Sequence, residues 1–129
     1  MKNIHFTNIV IQKPYAVVWN WLSDPMKYPK LYPGWAARTE KVGKDKYEIT
    51  NKQNRKSIVA RKMNSGKGAI DLIIGDVLSH TRIFPLKSDT IVVHIGSRWK
   101  QMRNPISWLL YKSTVNSDFK NAKKIMERS

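Results

Sequence analysis

The side chains able to hold a metal or move a proton are few in this 129-residue chain: three histidines (His5, His80, His94), nine Asp and Glu, and no cysteine. Without cysteine there is no disulfide, thiolate metal site, iron–sulfur cluster or cysteine nucleophile. The sequence holds no H-E-x-x-H, G-x-S-x-G, phosphate-loop or dinucleotide-binding signature. The acidic residues Asp24, Glu40, Asp45, Glu48, Asp71, Asp76, Asp89, Asp118 and Glu127 are scattered, and no two are placed by sequence as an acid–base pair. The sequence therefore assigns no catalytic residue and no metal ligand, and it implies no cofactor.

Aromatic and basic residues are abundant by contrast. Five Trp and five Tyr accompany only three Phe. Tyr and Trp bury a large apolar body while keeping one polar group, which suits a ligand pocket and equally the rim of a small core. Lys and Arg number 24, for a formal net charge of +15. Residues 44–68 hold eight of them against two acids, a net +6. Lys44, Lys46, Lys52, Arg55, Lys56, Lys62 and Lys67 gather there on one pair of hairpins. Such a patch attracts polyanions by releasing counterions, and a solvated basic face has the same composition. Only Tyr47 is interleaved, so base stacking is not indicated.

The length fits one domain, so residues 1–129 are read as a single unit. A hydrophobic content of 41% and a charged content of 26% give a packed core rather than disorder. The opening MKNIHFTNIV has no apolar leader pattern, and no window reaches the roughly 18 consecutive apolar residues of a membrane span. A cytoplasmic protein without stable membrane insertion is expected.

Residues 4–12 read as a strand. Pro14 suits a helix first turn, and Tyr15, Val18, Trp19 and Leu22 share one helical face. Ser23-Asp24-Pro25 stops that helix and offers Asp24 as the cap of a second short one. Segments 36–42, 46–53, 56–63, 68–74, 78–86 and 90–99 read as six strands, separated by Gly-, Asn- and Asp-containing turns too short for anything but antiparallel neighbours. Behind Asn104-Pro105, the residues Trp108, Tyr111, Val115, Phe119, Ala122 and Met126 recur at helical spacing over about 22 residues. A long amphipathic helix must lie on a seven-stranded antiparallel sheet, with two short helices closing one end, and a bent sheet under one helix leaves room between them.

Within these elements, Ile91, Val93 and Ile95 are expected to face the long helix, which turns His94 away from it. Ile70, Leu72 and Ile74 inward turn Asp71 outward. Ile83 inward turns His80 and Arg82 outward, where Asp71 can meet them across the strand pair. Arg61 is ambiguous between the two faces.

The runs Ile9-Val10-Ile11-Gln12-Lys13-Pro14, Val18-Trp19, Leu22-Ser23-Asp24-Pro25, Tyr28-Pro29 and Pro33-Gly34-Trp35 resemble the opening of START-like proteins of the SRPBCC superfamily. These motifs cover about the first quarter of the chain, and the element order matches over essentially all of it. The resemblance implies an α+β helix-grip fold: a curved seven-stranded antiparallel sheet of order 1-7-6-5-4-3-2, two short helices, and a long C-terminal helix gripped over a cavity for a hydrophobic small molecule. Relatives of this kind include lipid carriers, ubiquinone-binding proteins, cyclases, hydroxylase domains and a ribosome-associating toxin family, and fold alone does not select among them.

On that basis Tyr28, Tyr32 and Trp35 are expected to close the cavity. Trp99, Trp108 and Tyr111 flank the start of the last helix, Val115 and Phe119 continue its inner wall, and Met63 supplies adaptable lining. The leading reading is a carrier or sensor for a lipid-like or aromatic molecule. A polyketide cyclase/dehydratase-like enzyme using the same cavity is the second. A module contacting nucleic acid, the ribosome or an anionic membrane through Lys52, Arg55, Lys56 and Lys62 is the third. Oligomeric state is left open.

Overall fold

The apolar run Ile4–Ile11 forms edge strand β1, and the chain then enters helix α1, Tyr15–Leu22. The structure is a computed structural model and describes residues 4–75, 77–98 and 105–129. Pro14 stands just outside α1, extended at φ −67° and ψ 159°, and its carbonyl accepts from the N–H groups of Val17 and Val18. It is thus the residue before the helix rather than part of the first turn. Asp24 caps the next turn as expected, accepting from the Met26 N–H at 3.0 Å. That 3-10 turn, Pro25–Lys27, leads into the one-turn helix α2, Tyr28–Leu31.

Six strands follow: β2 Arg38–Gly43, β3 Lys46–Thr50, β4 Lys56–Asn64, β5 Ala69–Ile74, β6 Val77–Leu86 and β7 Asp89–Arg98. With β1 they make one antiparallel seven-stranded sheet of order β1-β7-β6-β5-β4-β3-β2. β3 ends at Thr50, three residues before the expected end. The Asn51 carboxamide accepts from the Gln53 and Arg55 N–H groups at 3.0 and 2.9 Å, drawing that backbone into a turn and out of the ladder.

Helix α3, Pro105–Arg128, runs for 24 residues and lies over the sheet. Phe119, Ala122 and Met126 are buried in a common core with Ile11, Val18, Leu22, Leu31, Ile49, Val59, Ile70, Ile83 and Val92. Polar ties hold α3 in place: Glu127 accepts from the Gln12 N–H at 2.7 Å, and Asn121 donates to the carbonyls of Lys30 and Leu31 at 3.0 Å each. Asn104 and Trp99, expected near the start of this helix, lie outside the described residues. The architecture is the α+β helix-grip arrangement.

Side-chain parity follows expectation on β5 and β6 but not on β7. Asp71 faces outward and accepts from Arg82 Nη1 at 2.8 Å, with His80 Nδ1 2.9 Å from the same oxygen. On β7, Val92 and His94 face α3 at 1% and 6% exposure, whereas Ile91, Val93 and Ile95 lie half-buried on the opposite face. The reason is register. The two-residue turn Lys87-Ser88 pairs Leu86 with Asp89, hence Ile83 with Val92 and Thr81 with His94. Directly paired residues share a face of the sheet.

Candidate functional site

Between the sheet and α3 lies a cavity of about 330 Å³. Its floor is the concave face of three strands: Ile70, Leu72 and Ile74 from β5, Val77, Ser79 and Thr81 from β6, and His94 from β7. Tyr111, Thr114, Val115, Asp118 and Phe119 of α3 form the roof. One end is closed by Tyr28, Tyr32 and Trp35, whose ring centroids stand 5.2 to 6.4 Å apart. Phe119 joins this group, 5.5 Å from Tyr32, and also lies 5.0 Å from the His94 ring.

Two glycines allow this geometry. A Cβ at Gly96 would collide with the Tyr111 hydroxyl, so Gly96 lets the ring descend onto β7. A Cβ at Gly34 would stand 2.8 Å from Asp118 Oδ1, so Gly34 lets its own N–H reach that oxygen at 2.9 Å.

Polar chemistry inside the cavity is sparse. His94 Nε2 lies 2.8 Å from Ser79 Oγ. Its Nδ1 is buried and finds no hydrogen-bond partner among the described residues. Burial, with the His5 and His80 side chains adding to it, lowers the His94 pKa to about 4, so the ring is neutral. Burial raises the pKa of Asp118, against the opposing pull of the Gly34 and Trp35 N–H groups and of Lys52. Burial likewise pushes Tyr111 up to about 12, and it raises Tyr28 and Tyr32 further still.

Of the residues expected at the cavity, Tyr28, Tyr32, Trp35, Tyr111, Val115 and Phe119 line it. Trp108 does not. It is buried and stacks on Tyr111, with centroids 5.0 Å apart and ring planes 8° from parallel, so it braces the wall from behind. Met63, expected as lining, does not line the cavity: it is 40% exposed near the end of β4, a strand that contributes no lining residue. Trp99 lies outside the described residues. Arg61 is half-buried, donating to Asp45 Oδ1 and to the Ser23 carbonyl while its guanidinium lies 5.2 Å from the Tyr47 ring centroid. It fastens β4 to the end of α1 and does not line the cavity.

Reading the sequence missed His94, Ser79, Thr81, Asn51 and Asp118 as lining residues. Asp118 had a signal: it follows Tyr111 by seven residues and Val115 by three, on the same helical face.

The four basic residues do not form one compact patch. Lys52 and Arg55 are exposed in the β3–β4 turn, and Lys56 opens β4 with an ion pair to Glu48 at 3.7 Å. Lys62 is six residues further along the strand, roughly 20 Å away, and pairs in register with Asp71. Among the described residues no helix is long and apolar enough to cross a membrane.

No protein-family model matches the sequence, and a search of curated proteins finds no match. Solved structures do match. An uncharacterized protein from Bacillus thuringiensis superposes with a TM-score of 0.82 at 12% identity, over 95% of this chain and 98% of that one. The Zhui aromatase/cyclase from a Streptomyces species gives 0.78 at 13% identity, over 97% and 93%. A START superfamily protein from Mycobacterium smegmatis gives 0.74 at 12% identity, over 97% and 94%. The chain has the START-like fold that its opening motifs resemble.

Proposed function

We propose that the protein binds a hydrophobic small molecule, aromatic or lipid-like, in the cavity under α3, as a carrier or sensor. The observation that carries this reading is the cavity itself. It holds about 330 Å³ beneath a roof and end wall of Tyr28, Tyr32, Trp35, Tyr111 and Phe119, and ligand sites are commonly apolar hollows of about 300–1,000 Å³ with a few placed polar groups. The START-like fold supports it. The neutral dye N-phenylnaphthylamine is expected to bind one to one and to quench tryptophan fluorescence through Trp35. Absence of saturable binding would overturn the reading.

A second reading, a cyclase-like enzyme, is favoured by one specific observation: His94, Ser79 and Asp118 are polar groups within an otherwise largely apolar cavity. Proton transfer by a buried His or Asp is ordinary acid–base chemistry, and one similar structure is that of an aromatase/cyclase. An enzyme would lose turnover in His94→Phe while still binding the dye. A carrier would show no turnover in either form.

A further inference from the structure

The cavity and the surface around it have opposite electrostatic character. The chain carries +15, yet no lysine or arginine is among the described residues that line the cavity. The inward-leaning cation of β4, Arg61, is already committed to Asp45 and to the Ser23 carbonyl. Lys52 acts on Asp118 from the β3–β4 turn, where its own side chain is exposed to water. Among the described residues the ionisable side chains that line the cavity are Asp118, His94 and the phenols of Tyr28, Tyr32 and Tyr111. None of these, in the states described above, supplies a positive charge.

We propose that the cavity admits uncharged ligands and excludes carboxylates and sulfonates of the same size. The proposal rests on the ligand-binding reading above and narrows it. An anionic headgroup entering this space must shed its water, and with no cation among the described lining residues only neutral hydroxyl, amide and imidazole donors replace that hydration. An ionised Asp118 adds repulsion between like charges. The surrounding lysines do not offset this, because their field acts through water and salt. A neutral oxygen function has a partner in place. With Ser79 Oγ at Nε2, the unpartnered His94 Nδ1 is a donor in one tautomer and an acceptor in the other, so it can serve a carbonyl or a hydroxyl. The ligand class is an apolar body bearing one neutral oxygen group: an alcohol, phenol, ketone or ester.

The test is displacement of N-phenylnaphthylamine by three matched competitors at neutral pH, namely decanol, methyl decanoate and decanoate. The readout is cavity occupancy, so decanoate held on the basic surface does not register. Decanol and the ester are expected to displace the dye, with decanoate at least about tenfold weaker, a difference of ~1.4 kcal/mol. Asp118→Asn, which removes the carboxylate while keeping an acceptor for the Gly34 N–H, is expected to narrow that gap. The ester-against-acid comparison on the unaltered protein needs no variant to fold. Equal displacement by decanoate and its methyl ester would overturn the charge selection while leaving the cavity reading intact. A dye that fails to bind would overturn the cavity reading instead.

Discussion

Strands β6 and β7 present two faces, and on β7 these differ in the reverse of the usual sense. The side under α3 carries Val77, Ser79, Thr81 and Ile83 with Val92, His94 and Gly96. The side away from it carries Leu78, His80, Arg82 and Phe84 with Ile91, Val93 and Ile95. On β7 the outer face is the more hydrophobic of the two. The difference is one of room. A face that must pack solidly against a helix takes large apolar side chains, whereas one that must leave a hollow takes small and hydroxyl-bearing ones. Apolar content therefore does not identify the functional face of this sheet. Small residues beneath an aromatic roof do.

The sharpest way to break this comparison is to remove the roof. Phe119 is 5% exposed and touches both the aromatic end wall and His94. Phe119→Ala is expected to cost about 3–5 kcal/mol of stability, read as a shifted denaturant midpoint. A change within error would show that α3 turns another face to the sheet.

Acid is expected to act next most strongly, and through the inner face. His94 has a folded pKa of about 4 because burial disfavours its charged form, against 6.5 for the free side chain. Between those values the unfolded chain binds a proton that the folded chain refuses. Stability therefore falls as pH drops through that window, by up to about 1.4 kcal/mol per pH unit. His5, also lowered mainly by burial, acts in the same direction. His94→Gln is expected to remove the greater part of the slope, measured as melting temperature against pH. An unchanged slope would mean that His94 is not buried neutral.

The smallest effect is expected on the outer face. Burial pushes the Asp71 pKa up, but hydrogen bonds from Arg82 and His80 outweigh it and the net shift is downward. All three side chains are between 31% and 39% exposed, and ion pairs so open to water contribute about 0–1 kcal/mol. Asp71→Asn is expected to stay within that range. A loss of several kcal/mol would show that the outer face is covered.

Much of the fold was legible because the signals were redundant. Five short turns forced antiparallel strands, and the spacing from Trp108 to Met126 marked α3. The opening motifs resemble proteins with the observed strand order. The site was only half legible. The aromatic wall could be found from residue type and position, but His94 was assigned to the wrong face because the apolar alternation of β7, Ile91, Val93 and Ile95, marks the outer face. The missing constraint was the length of one turn, which only the observed register supplies. A two-residue turn at Lys87-Ser88, with Ile83 already inward, places Val92 and His94 inward by pairing. Met63 failed for a different reason: it has inward parity and pairs with the lining residue Ile70, but β4 contributes no lining residue, and parity says nothing about how far across the sheet a cavity reaches. The basic cluster likewise looked compact in sequence because a hairpin brings residue numbers together, whereas β4 holds Lys56 and Lys62 apart.

The decisive question is which face of the sheet receives a ligand. Two-dimensional NMR of the protein titrated with N-phenylnaphthylamine tests this directly. The expected result is a saturable set of shifts at Thr81, His94, Tyr111, Val115 and Phe119, with Ile91, Val93, His80 and Lys62 unmoved. Shifts confined to the outer face or to the basic hairpins, with the cavity residues silent, would contradict it.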